Sequence, residues 1–382
     1  MIFEIPPPTI DETLALGRID ELRRELRHYV AEPTRWVGQI RRVLAARAIQ
    51  GSNSIEGFHV SVEDAIAAVE GDEPSEATDE DWQANQGYRR AMTYVLQLAH
   101  DEHFIYSSQL LSGLHFMIAE YSMKANPGLW RPGPIWVRNA STGEVVYEGP
   151  DAEEVPSLVD ELVAQLQSDQ DVPVLIRGAM AHLNLAMIHP FRDGNGRMAR
   201  CLQTLVLARD RILEPQFSSI EEYLGLNTES YYRALAQVGK GRWSPESDAQ
   251  PWVRYCLEAH YVQAASVLRR VRESEMIWSK LDRLRERHGL PERTITALFD
   301  ATIELRVRNA SYRSALKRYG EGISNQVATG DLSSMVHAGL LVQHGAKRGT
   351  YYLGAGPLQE IYAEVRSDGP KVDPTTLFTV KA

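Results

Sequence analysis

The sequence predicts a mostly α-helical protein with one β-hairpin and a C-terminal winged helix-turn-helix domain. Three observations carry that prediction. Apolar residues recur at helical spacing through the first two-thirds of the chain. The segment Pro127–Pro150 interrupts them with Pro-Gly and Gly-Pro turns. From about Ile277 the pattern changes to short helices followed by a small hairpin. A length of 382 residues allows two or three domains.

Pro6 to Pro8 form a stiff lead-in to an amphipathic helix, "TLALGRIDELRRELRHYV", that ends near Pro33. A second helix runs through "RWVGQIRRVLAARAIQGSNSIEG" and stops at Gly57. "SVEDAIAAVEG" opens with a capping Ser and first-turn acids, and "DWQANQGYRRAMTYVLQLAH" and "SSQLLSGLHFMIAEYS" follow as helices. In "PGLWRPGPIWVRNASTGEVVYEGP" the runs "IWV" and "VVY" flank a turn at "NASTGE", which makes a hairpin. "EEVPSLVDELVAQLQ" leads to "VPVLIRGAMAHLNLAMI", apolar enough to be central, and "RMARCLQTLVLARDR" continues after a tight loop. Beyond "SIEEYLGLNTESYYRALAQV" and the helical region after Pro251, two helices split at Gly289-Leu290-Pro291 open the C-terminal part. There "LSSMVHAGLLVQHGAKRGTYYLG" reads as a recognition helix and wing, a tail follows over 357–382, and its end "SDGPKVDPTTLFTVKA" is expected to be poorly ordered.

A net charge of −10 argues against a nucleic-acid coat or a membrane-surface protein. Cys201 and Cys256 lie far apart without CxxC spacing, so neither a disulfide framework nor a zinc site is implied. The N-terminus "MIFEIPPPTIDE" has no signal-peptide pattern, and no apolar run reaches the ~18 residues of a membrane span. The expected location is cytoplasmic, with no membrane partner.

"IHPFRDGNGRMAR", Ile188 to Arg200, is the densest chemical signal. "RDGNG" cannot sit inside a stable helix, so it is a tight loop opening onto the next helix. Gly194, Asn195 and Gly196 can turn backbone N–H groups toward one point at that helix N-terminus, an anion nest suited to phosphates. Arg197 and Arg200 are three apart, hence on one face, and two arginines suit a polyphosphate. Asp193 at the loop edge suits Mg²⁺ held against phosphate oxygens, and His189 suits proton removal from a hydroxyl. No GxxxxGK[ST] loop occurs in the chain.

"HPFRDGNGR" followed by "MAR" resembles the signature of Fic-domain proteins, HPFx[D/E]GNGRxxR, at every fixed position. The likeness runs from roughly Pro6 to Val262. It implies a Fic-type helical core with a β-hairpin flap, and an adenylyltransferase that moves AMP from ATP to a Ser, Thr or Tyr hydroxyl of a target protein, itself included, with Mg²⁺. It further implies that His189 is the base, that Asp193 binds Mg²⁺ and that Gly194, Asn195 and Gly196 hold phosphates. Arg197 would contact the triphosphate and Arg200 the γ-phosphate. Asn227, Tyr231 and Tyr232 in "LNTESYYRAL" resemble the family's pattern near adenine. The flap would align a target segment by strand addition, with Ile135 or Val137 as its clamp.

"SNSIEG" is a second resemblance, to the inhibitory helix [S/T]xxxE[G/N] of one class of Fic proteins. Ser52 and Glu56 are i and i+4 on one helix face, and Gly57 is a natural C-terminal cap. Glu56 is expected to pair with Arg200 and so occupy the γ-phosphate's partner.

The expected organisation is therefore an N-terminal segment over 1–110 with an inhibitory helix at about 45–57, a catalytic core over 111–262, a winged-helix domain over 275–356 and a tail. Residues 301–355 carry seven basic residues (Arg306, Arg308, Arg313, Lys317, Arg318, Lys347, Arg348) against three acids, which suits a DNA contact with Lys347 and Arg348 at the wing tip. Protein binding or a homodimer is the other use of such a module. The competing readings are a Fic-fold enzyme that uses another nucleotide or removes AMP, and a DNA-binding regulator with a nucleotide-sensing core.

Overall fold

The computed structural model describes residues 1–74, 76–138, 142–168, 171–211, 213–366 and 377–378. Residues 139–141 of the expected turn, most of the tail and the side chain of Arg348 lie outside them.

Side-chain caps start several helices. Helix α1 (Ile10–Val30) opens with a reciprocal box: Glu12 N–H donates to Thr9 Oγ1 (3.3 Å), and Thr9 N–H donates to Glu12 Oε2 (2.9 Å). Helix α2 (Arg35–Ile55) and α3 (Val62–Glu70) form a helical hairpin, α3 being capped by Ser61 and closed by Gly71 at φ 78°. Thr78 and Ser107 cap α4 (Asp79–Leu98) and α5 (Ser108–Ala119). Strands β1 (Trp136–Arg138) and β2 (Val145–Glu148) pair antiparallel, with a register shift between Val137 and Arg138. Helix α6 (Val155–Ser168) follows.

Helices α7 (Val174–Ile188) and α8 (Asn195–Arg209) are buried almost along their whole length, and the two main apolar clusters lie on either side of them. Short helices α9 (Pro215–Ser218), α10 (Glu221–Leu226) and α11 (Thr228–Gly239) surround this centre. Backbones of α2 and α10 meet at Gly51 and Gly225: a Cβ on Gly51 would lie 2.6 Å from Glu221 O, and one on Gly225 would lie 2.6 Å from Gly51 Cα. Only glycine permits that approach.

The boundary expected between 262 and 275 does not exist as a linker. Helix α12 (Gln250–Arg287) crosses it without a break, because no Gly or Pro occurs between Pro251 and Gly289. Its first half packs in the central core through Trp252, whose indole N–H donates to Ala179 O (2.7 Å), and its second half enters the C-terminal core through Ile277 and Leu281. That second core holds α13 (Ile295–Thr302), α14 (Asn309–Arg318), α15 (Asn325–His337) and the antiparallel pair β3 (Leu341–His344) and β4 (Tyr351–Gly354). The expected tail begins instead as helix α16 (Gly356–Arg366), since Leu358 and Val365 are buried in the same core. No helix among the described residues is long and apolar enough to cross a membrane.

Candidate active site

The loop between α7 and α8 is built by backbone conformation. His189 ends α7 in the left-handed region, at φ 51°, with its amide donating to Leu185 O (3.0 Å). Pro190 prevents the helix from resuming. Gly194, at φ 75°, is the N-cap of α8, so the first amides of that helix open onto the loop. Asn195 braces the loop from inside: its side-chain amide donates to Phe191 O (2.9 Å) and its Oδ1 accepts from Phe191 N–H (2.9 Å). The Asn195 side chain is thus used structurally, and only its backbone faces the nest.

Two residues that no sequence signal marked hold this loop in place. His115 of α5 stacks on Phe191 at 3.6 Å between ring centroids, 5° from coplanar. Its Nε2–H donates to Asp193 O (2.8 Å) while Nδ1 accepts from Gly128 N–H (2.9 Å). Burial pushes this imidazole down to about 4, so it stays neutral and keeps that tautomer. Arg131, also buried, donates from Nε to His189 O (2.9 Å), from Nη1 to Gly133 O (2.7 Å) and from Nη2 to Pro150 O (2.5 Å). One guanidinium therefore ties the backbone of His189 to both ends of the flap. Tyr147 of β2 adds a fourth tie by donating to Met187 O (2.7 Å).

His189 Nδ1 lies 3.1 Å from Ala186 O, so Nδ1 carries the proton and Nε2 keeps a free lone pair. Burial lowers the affinity of this ring for a second proton, and the nearby Arg131 cation adds to the effect. A neutral imidazole with its acceptor nitrogen free is a competent base. Asp193 is exposed, with one carboxylate oxygen accepting from Gly194 N–H (2.7 Å).

Arg197 and Arg200 project from one face of α8 and are almost fully buried, yet they are occupied differently. Arg197 lies between aromatic rings, 4.8 Å from the Phe58 centroid and 5.4 Å from that of Tyr121, and donates to Tyr121 Oη (3.0 Å). Its Nε and Nη1 are buried without a hydrogen-bond partner. Arg200 is engaged on every nitrogen. Nε donates to Ser52 Oγ (2.8 Å), Nη2 to Ser52 O (2.9 Å) and to Glu56 Oε1 (2.7 Å), and Nη1 to Tyr231 Oη (3.4 Å).

Glu56 reaches Arg200 because it caps the C-terminal end of α2, where Gly57 turns the chain away at φ 85°. Its carboxylate rests on Gly196, where any Cβ would overlap it, so an anion already covers the N-terminal turn of α8. Burial disfavours the ionised form, but Arg200, with Arg197 behind it, more than offsets this and holds Glu56 below the ordinary glutamate range.

The residues named for adenine separate. Tyr231 is buried behind Arg200, and its hydroxyl donates to His182 Nε2 (2.9 Å), whose Nδ1–H donates to Gln203 Oε1 (2.7 Å). It supports Arg200 from the core and presents no free surface to a base. Tyr232 is half exposed beside Ile55 O (3.4 Å), and the Asn227 side chain donates to Tyr223 O (2.8 Å). The flap differs from expectation in the same way. Ile135 and Val137 turn inward, Ile135 against Gly149 and Val137 against the central core, while Trp136, Val145 and Val146 carry the exposed apolar surface. Strand alternation explains why Trp136 faces out between Ile135 and Val137.

Two of the seven basic residues of the C-terminal part, Arg306 and Arg318, are drawn into ion pairs, and a third, Arg313, bonds a neutral side chain. Arg306 pairs with Glu76, Arg318 with Glu70 (2.5 Å), and Arg313 Nε donates to Asn309 Oδ1 (3.0 Å). Helix α15, placed as the recognition helix, contains no Lys or Arg.

Residues 105–207 match the Fic/DOC family. A probable protein adenylyltransferase of Aquifex aeolicus is 31% identical over 86 residues, 22% of this chain and 27% of that protein. A protein adenylyltransferase of Caenorhabditis briggsae is 32% identical over 116 residues, 29% of this chain and 20% of its own length. The chain thus spans about a quarter of these relatives or less. Among solved structures, a Fic family protein from Desulfovibrio desulfuricans aligns over 92% of this chain and 98% of its own at TM-score 0.57 and 20% identity. Fic-1 of Caenorhabditis elegans aligns over 68% of this chain and 71% of that one at TM-score 0.55 and 22% identity. At those identities the structures show a shared fold. The motif loop and the matched segment around it identify a Fic/DOC domain over residues 105–207 of this chain.

Proposed function

We propose that this chain is a protein adenylyltransferase that moves AMP from ATP to a Ser, Thr or Tyr hydroxyl of a target protein, its own hydroxyls included, and that Glu56 brakes it. One observation carries the reading: a neutral His189 with a free acceptor nitrogen stands at the mouth of an anion nest, beside an arginine whose buried donors lack acceptors. The names of the relatives from Aquifex aeolicus and Caenorhabditis briggsae point the same way.

In this reading the nest amides and Arg197 bind the phosphates. Unpaired donors cost nothing further once phosphate oxygens accept from them, and cost about 1–3 kcal/mol while they remain unmet. The target oxygen attacks the α-phosphorus, its proton passes to His189 Nε2, and the bond to the bridging oxygen breaks to release pyrophosphate. Mg²⁺ is commonly held by one or two carboxylates together with substrate phosphates. Asp193 would hold it, and it would neutralise phosphate charge. The brake follows from occupancy: with Glu56 on Arg200 and over Gly196, the γ-phosphate loses both its cation and its place.

The test is labelled-AMP transfer and intact mass with Mg²⁺ and ATP on wild type, Glu56→Gly and Glu56→Gly/His189→Ala. Strong label on Glu56→Gly, weak label on wild type and a loss of about 10²–10⁴ in the double variant is the expected pattern. ATP binding without label in any of them would sink the reading in favour of another donor or a nucleotide-sensing regulator.

A further inference from the structure

The helical hairpin α2–α3 has two ends, and each is held by a different part of the protein. Its closed tip carries Glu56 and Gly57 into the active site. Its open end is gripped by the C-terminal domain. There Arg42 of α2 is buried and pairs with both Glu70 of α3 (2.8 Å) and Asp300 of α13. Glu70 also accepts Arg318 of α14. The four charges balance, two cations against two carboxylates, and Arg42 and Glu70 are 2% and 1% exposed.

Further contacts follow the same line. Tyr319 donates to Arg35 O (3.0 Å) and lies on Gly38, where a Cβ would sit 2.5 Å from its hydroxyl. Ser314 donates to Asp72 (2.9 Å), and Leu305 is buried in an apolar cluster with Val43, Ala46 and Ile66. Removing one partner from a buried ion pair is strongly destabilising, so this contact does not open freely. Helix α12 meanwhile mounts the C-terminal domain on the central core without a linker.

We propose that the C-terminal domain is an internal latch: its basic face docks on the open end of the α2–α3 hairpin and thereby holds Glu56 on Arg200 at the other end. This rests on the reading that Glu56 brakes AMP transfer. The coupling is mechanical. Arg42 and Glu56 are 14 residues apart on one unbroken helix, about 21 Å along its axis, and a helix of that length moves as a unit. The Gly51–Gly225 seat still holds the tip after undocking, so release of the latch alone frees the brake only in part.

Asp300→Lys places a cation against Arg42 and is the variant to build in the full-length chain. Hydrogen exchange over 49–57 and over 62–76 reports the two ends of the hairpin, and labelled-AMP transfer reports the brake. The latch predicts faster exchange in both segments, a several-fold rise in transfer in the Glu56 protein, and no further rise when Asp300→Lys is added to Glu56→Gly. Faster exchange over 62–76 with 49–57 and transfer unchanged would overturn it, as would an equal gain in both backgrounds. Should no variant transfer label, Glu56→Gly included, the transfer reading fails while exchange over 49–57 still decides the latch. If Asp300→Lys does not fold, Arg306→Glu/Arg318→Glu carries the same test with a smaller expected gain.

Discussion

Positive charge gathers in two parts of this molecule, and the two parts use it differently. On α8, Arg197 and Arg200 are sealed in the core and aimed at one nest, where Arg197 keeps two donors unmet. In the C-terminal domain, Arg306 and Arg318 lie near the surface and are paired with Glu76 and Glu70 of the same chain. By sequence both regions are basic. Structurally the first holds a cation with donors still unmet, Arg197, beside one that Glu56 and Ser52 already occupy, Arg200, whereas Arg306 and Arg318 of the second already have their acceptors. A local excess of Lys and Arg therefore predicts a ligand only after its carboxylate partners are accounted for. The acidic stretch at 63–76 is the partner that the charge count over 301–355 left out.

The largest test of this contrast is Glu70→Gln. It strips two arginines of one buried partner, and we expect a loss of about 3 kcal/mol, read as a lower urea midpoint. An effect below about 1 kcal/mol would mean that the network behaves as an exposed pair does. Next comes Arg197→Lys in the Glu56→Gly background. An ammonium cannot stack as a plane between Phe58 and Tyr121 or offer forked donors. The Michaelis constant for ATP should rise about tenfold, or about 1.4 kcal/mol, with His189 chemistry intact. An unchanged constant would remove Arg197 from the nucleotide site. The smallest effect concerns pH. His189 titrates below its ordinary value of 6.5, so the neutral base persists as pH falls and is lost only on passing through that lowered value. The acid limb of transfer should therefore lie below 6.5 in Glu56→Gly. It should lie lower than in wild type, because the Glu56 carboxylate favours the imidazolium. A limb above 6.5 would point to a different base.

Helices with strong caps and periodic apolar faces were legible in the chain, as were the hairpin and the tight loop before α8. Misplaced features share a cause. The pattern of the sequence changes near Ile277, yet nothing in the backbone breaks α12 there. The resemblance implied Ile135 or Val137 as the clamp, whereas the pleat turns Trp136 outward between them.

What the sequence determined by itself is local. Gly194 takes a left-handed turn that few other residues tolerate, Pro190 stops α7, and the three-residue spacing puts Arg197 and Arg200 on one face of α8. These follow from backbone sterics over a few residues. The resemblance implied that Glu56 would meet Arg200, 144 positions away, but only the tertiary structure showed how it does so, with Ser52, 148 positions away, closing on the same guanidinium. The same holds for Arg131 reaching His189 across 58 positions, and for Glu70 taking the arginine 248 residues away. Such pairs form because burying a guanidinium is costly until a carboxylate or carbonyl is packed against it, and packing, not sequence spacing, sets which one arrives.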